Sequence, residues 1–104
     1  MKDERFFVYI LTNKKKNVLY IGFSSDLSKR LRLHETGAYS GFSKKYNCKY
    51  LVFYESFLDP ETAIAREKQI KKYSRKKKNA LINKQNPNWK PLNTIAHTLE
   101  KKYL

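Results

Sequence analysis

Five side chains of this chain have types and spacings that could do chemistry together: Tyr9, Tyr20, Arg30, His34 and Glu67. The two tyrosines lie in the runs FFVYILTN and VLYIGF, which flank the turn Asn13-Lys14-Lys15-Lys16-Asn17. If residues 12 and 17 close that turn, Tyr9 falls opposite Tyr20, on the same face and ~5 Å away at Cβ. Gly22 stands just beyond, where a glycine marks either a bulge or the close approach of a backbone, a side chain or a ligand. Arg30 and His34 are one helical turn apart, within roughly 100° of Leu27 and Leu31 on a helical wheel. Each has a plain alternative: an arginine that snorkels along an apolar stripe, and a structural histidine. Glu67 belongs to an inward stripe of Ala63, Ile64, Glu67 and Ile70. A carboxylate there needs a positive partner. Arg30 would serve, and so would a hard divalent cation such as Mg²⁺.

The elements that must position these groups are legible. Phe6 to Thr12 reads as a strand with Phe7, Tyr9 and Leu11 on one face and Val8 and Ile10 on the other, hence covered on both sides. Val18 to Phe23 is its hairpin partner, and Tyr50 to Phe57 is a third strand. Ser24, Ser25 and Asp26 offer caps for a helix that ends at Gly37. Asp59-Pro60-Glu61 opens another, with proline at the first helical position. Ser74 caps a further short helix through Asn83, and Asn86-Pro87-Asn88-Trp89 ends it, with Trp89 folding back onto the core. Ala38 to Lys49 reads as a loop in which Tyr39 and Phe42 either anchor the chain or stack on bases. Thr94 to Leu104 reads as a last helix whose stripe of Ile95, Leu99 and Tyr103 docks on the domain or on a second copy. The chain divides into a domain over residues 1–92 and a helical extension over 93–104.

Charge points to the partner. Lys and Arg number 23 against nine Asp and Glu, a formal charge of +14 in 104 residues. Such an excess fits a polyanion, nucleic acid before an anionic membrane, because the basic segments lack a broad apolar opposite face. Six cations crowd the eight positions Lys71 to Lys78, namely Lys71, Lys72, Arg75, Lys76, Lys77 and Lys78, and Lys44 and Lys45 add two more. A single cysteine, Cys48, excludes an internal disulfide framework and argues for a reducing compartment. With no signal-peptide core and no long apolar run, the expected location is cytoplasmic.

Val8-Tyr9-Ile10, then Tyr20-Ile21-Gly22, then Asp26-Leu27 leading to Arg30-Leu31 and His34, resemble the GIY-YIG nuclease superfamily, especially its small single-domain bacterial members. The stretch around Glu67 and the Asn86-Pro87-Asn88-Trp89 ending match as well, so the resemblance spans roughly residues 5 to 92. It implies a three-stranded antiparallel β-sheet flanked by three or more helices (α+β), and metal-dependent hydrolysis of a DNA phosphodiester. Relatives of this kind include the incision module of the excision-repair nuclease, which suggests repair or recombination. By the same resemblance Tyr9 and Tyr20 are the motif tyrosines, Gly22 the close-packing glycine, Arg30 the helix arginine and His34 the histidine of the small members. Glu67 becomes the metal ligand and Asn86 the late polar residue. Two positions depart: Phe7 stands where the first half-motif often has glycine, and Phe23 where the repair branch has lysine, one cation fewer at the phosphate.

These residue types suit the implied reaction. Glu67 would hold a single Mg²⁺ or Mn²⁺ near the leaving oxygen, and Arg30 would neutralise non-bridging oxygens. Tyr20 would orient or activate water, helped by protonated His34, Arg30 or the metal, since a free phenol titrates near ~10. Tyr9 would position Tyr20 or touch the phosphate. Three functions stand side by side: an endonuclease acting on nicked, branched or single-stranded DNA, a binding module of the same fold that cleaves weakly, and a protein-assembly factor using the last helix.

Overall fold

The computed structural model describes residues 5–38 and 41–99. Three strands, β1 (Phe6–Thr12), β2 (Leu19–Ser24) and β3 (Tyr50–Phe57), form an antiparallel sheet in the order β2-β1-β3. Five helices among the described residues complete the chain: α1 (Leu27–Glu35), α2 (Phe42–Lys45), α3 (Pro60–Lys71), α4 (Arg75–Gln85) and α5 (Asn93–His97). The expected α+β sheet-and-helix class is the one observed.

Alternation along the central strand builds two cores. Phe7, Tyr9 and Leu11 face Leu27 and Leu31 of α1, together with Cys48, Leu51 and Ala96 of α5. Val8 and Ile10 face Ala63 and Ile70 of α3 and Ile82 of α4, with Trp89 packed at the margin. The helices α1, α3 and α4 start where short side chains can satisfy free N–H groups: Asp26 accepts from Lys29 N, Asp59 from Thr62 N and Ser74 from Lys77 N. Gly37, at φ 74°, ends α1.

The hairpin register differs from the one expected. Thr12 pairs with Leu19, so Leu11 lies opposite Tyr20, and Tyr9 lies opposite Gly22. The cause is the turn. Asn13 Oδ1 accepts from Asn17 N (3.1 Å) and Val18 N (3.2 Å), and Thr12 Oγ1 donates to Val18 O at 2.8 Å, which draws Val18 into the loop. The slip is two residues, an even number, so Tyr9 and Tyr20 keep a common face as diagonal neighbours.

Three further expectations change. The loop at 38–49 contains helix α2, and Tyr39 lies outside the described residues. Ile64 of the supposed inward stripe is exposed, while Ala63 and Ile70 are buried. The last helix is short and docks through Ala96, leaving Ile95 and Leu99 exposed; Tyr103 lies outside the described residues.

Among the described residues β3 has a strand on one side only, and its other edge is met by amide side chains. Gln85 accepts from Tyr54 N and donates to Tyr54 O, Asn93 does the same for Leu51 N and Lys49 O, and Asn86 Nδ2 donates to Val52 O. This closes the edge to pairing with other chains. Asn86 is buried and also accepts from Lys90 N, so its amide ties β3 to the turn after α4. Asn86→Ala strands those groups and is expected to lower the unfolding free energy by about 2 kcal/mol in urea titrations.

Candidate active site

The face of β1 and β2 under α1 brings together four of the five residues singled out. Tyr9 comes from the middle of β1 and is 1% exposed. Its hydroxyl lies 3.2 Å from His34 Nε2, and the two rings meet edge-on at 5.9 Å. Tyr20, half-buried on edge strand β2, sits 6.3 Å from the Tyr9 ring and 5.2 Å from the His34 ring. Arg30, one turn before His34, is near enough to bias its protonation. The register explains Gly22: the Tyr9 ring folds across it, and a Cβ there would collide with Tyr9 Cζ and Oη. The glycine is therefore the site of a side chain's close approach, not a bulge.

His34 is held from both sides. Nδ1 lies 2.6 Å from Ser43 Oγ, and Ser43 donates its own proton to Cys48 O at 3.1 Å. Ser43 therefore accepts from Nδ1–H, which leaves Nε2 to accept the Tyr9 proton. Burial, reinforced by the Arg30 guanidinium, pulls the imidazole from its ordinary 6.5 down to about 4. At neutral pH His34 is thus an uncharged acceptor. The expectation that a protonated His34 would help acidify Tyr20 fails, because its pocket excludes the charged form.

Glu67 is positioned differently. It lies on α3, packed on the opposite face of the sheet from α1, and its carboxylate is paired with Lys71 at 3.2 Å. Among the described residues its ion-pair partner is Lys71, in place of the Arg30 that the sequence suggested. The Glu67 side chain is only 18% exposed. No group of three or more His, Cys, Asp or Glu among the described residues could hold a metal ion. One carboxylate does suit Mg²⁺ or Mn²⁺, which keep several waters and take other ligands from a substrate phosphate. The Glu67 carboxylate is therefore compatible with a singly anchored divalent ion, which it would hold in exchange for Lys71.

The basic residues fall into two groups. Lys44 and Lys45 are exposed on α2, beside the His34 pocket through Ser43. The Lys71–Lys78 run lies on α3 and α4, and part of it is engaged internally: Arg75 donates to Asn17 O (2.9 Å) and Lys16 O (3.2 Å), while Lys77 sits 4.2 Å over the Tyr73 ring. Arg75 thereby joins the turn lysines Lys14, Lys15 and Lys16 to the start of α4 as one ridge. Sequence reasoning missed that ridge, and it missed Ser43, Asn93 and His97. His97 links Ser28 (2.8 Å) to Glu35 (3.1 Å) and fastens α5 to α1. A lone polar residue in a loop or terminal helix carries no local signal of such distant partners.

A family model described as the GIY-YIG catalytic domain matches residues 5–86. The chain belongs to the GIY-YIG family. GIY-YIG proteins are nucleases, acting on nucleic acid and in general dependent on a divalent metal. Among GIY-YIG relatives, the UPF0213 protein YazA of Bacillus subtilis is 34% identical over 82 residues, covering 79% of this chain and 82% of its own. A UPF0213 protein of Haloquadratum walsbyi is 33% identical over 79 residues, covering 76% of this chain and 88% of its own. The solution NMR structure of a UPF0213 protein from Bacillus halodurans superimposes with a TM-score of 0.56 at 25% identity, over 88% of this chain and 96% of that one. The Bacillus halodurans protein thus has a fold similar to the sheet-and-helix architecture described above. No helix among the described residues is long and apolar enough to cross a membrane.

Proposed function

We propose that this GIY-YIG protein is an endonuclease that hydrolyses DNA phosphodiester bonds, selecting DNA by backbone and shape, with a role in repair or recombination. The observation that carries the reading is the convergence of Tyr9, Tyr20 and His34, with Arg30 one turn away, on one sheet face. Tyr20, the half-exposed member, aligns the attacking water, and its phenol is steadied by contact with the other two rings. Tyr9 is buried and acts as the positioning phenol: it gives its proton to His34 Nε2, and Ser43 fixes the imidazole. Arg30 places a planar guanidinium against the non-bridging oxygens, where charge gathers in the transition state. Glu67, on α3, would hold a divalent ion, which would supply positive charge to the phosphate when bound. Cationic ridges without an added recognition domain favour phosphate contacts over base reading.

The test is cleavage of nicked, branched and single-stranded DNA with Mg²⁺ or Mn²⁺ and with chelator. Arg30→Ala and Glu67→Ala should each slow metal-dependent cleavage by about 100-fold or more. If both retain the wild-type rate, the site is elsewhere. Metal-independent binding without cleavage would favour the weakly catalytic module. Binding that survives high salt would favour the assembly factor, since phosphate contacts weaken steeply with salt.

A further inference from the structure

We propose that the ring pair of α2, Phe42 and Tyr46, is a stacking platform for unpaired DNA bases beside the catalytic group, an inference that rests on the nuclease reading above. Phe42 is 50% exposed and Tyr46 40%, yet their rings lie 4.6 Å apart, packed on each other. Neither belongs to a core cluster. Both residues stay substantially exposed despite that mutual contact. Lys44 and Lys45 stand exposed on the same short helix, and Lys45 Nζ lies 5.5 Å from the Tyr46 ring centre. Rings for bases and ammonium groups for the phosphates between them are the two components of single-strand binding.

The fold ties this patch to the chemistry. Ser43, buried between Phe42 and Lys44 in sequence, bonds His34 Nδ1 at 2.6 Å and Cys48 O at 3.1 Å. One residue thus orients the imidazole and sets the position of the platform relative to Tyr9 and Tyr20. Bases inside a duplex have their faces covered by their neighbours, so only an unpaired or frayed segment can lie on the rings. Stacking of this kind tolerates any sequence, because every base has a π-face. The occupant is therefore a single-stranded stretch of DNA running from the platform toward Tyr20.

Fluorescence anisotropy in EDTA separates binding from cleavage, with a labelled oligothymidylate and a blunt hairpin duplex as probes. Wild type should prefer the single strand. Phe42→Ala/Tyr46→Ala should weaken that binding by about 10-fold or more while changing duplex binding by less than about 2-fold. Phe42→Leu keeps apolar bulk but removes a π-face, and should weaken single-strand binding in the same sense. If the double variant shows no thermal transition, Phe42→Leu decides. Unchanged single-strand binding, or equal loss on both probes, overturns the platform. Wild type that cleaves duplex with metal but shows no single-strand preference overturns the platform alone. Wild type that binds neither probe overturns it together with the nuclease reading.

Discussion

Gly22→Ala is expected to lower the unfolding free energy by about 3 kcal/mol and to abolish cleavage with it. The backbone of Gly22 is not in the left-handed region, so the penalty is one of space. An added methyl would overlap the end of the Tyr9 ring. That ring cannot swing clear, because it is buried between Tyr20 and His34 and its hydroxyl is bonded to His34. Denaturant unfolding measures the cost, and a double-mutant cycle assigns it. In a Tyr9→Ala background the same substitution should cost under about 1 kcal/mol, since its obstacle has gone. Equal costs in the two backgrounds would show that the ring is not what the glycine accommodates.

The second large effect is a loss of stability in mild acid that traces to one imidazole. The unfolded chain protonates His34 below its ordinary 6.5, whereas the folded chain resists until about 4. Between those values the unfolded state binds the extra proton, so stability rises with pH. The contribution is fully present above 6.5 and drains away as pH falls toward 4. The interval corresponds to about 3 kcal/mol. Asp59, whose carboxyl is held below its ordinary 3.8 by the Thr62 N–H and hydroxyl, acts in more acidic solution and does not overlap this window. Urea unfolding at about pH 7.5 and about pH 4.5 should differ by this amount in wild type, and much less in His34→Gln, which keeps polarity but cannot titrate. A variant that loses as much stability as wild type would place the acid sensitivity elsewhere. Both predictions bear on one cluster, in which a neutral imidazole, a buried phenol and a glycine gap depend on each other.

Local signals in the chain were enough for the three strands and for the starts of α1, α3 and α4, though not for α2. Alternating apolar residues in Phe6–Thr12 defined a strand buried on both faces, and Asp26, Asp59-Pro60 and Ser74 marked helix starts that depend only on neighbouring N–H groups. The same one-turn spacing put Arg30 and His34 on the buried side of α1, and strand parity put both tyrosines on one face. Such relations survive any tertiary arrangement because they follow from backbone periods.

What required the folded molecule was everything set by contacts between distant segments. Asn13 and Thr12 drew Val18 into the turn and so chose Gly22, not Tyr20, as the partner of Tyr9. Burial against the sheet determined that His34 is neutral, a property of its surroundings and not of its residue type. Ser43 joined α2 to the imidazole, Arg75 joined the hairpin turn to α4, and packing set α3, which carries Glu67, on the other face of the sheet. A hydrogen bond or a desolvation cost between residues far apart in sequence exists only once packing has brought them together, and no period in the chain encodes it.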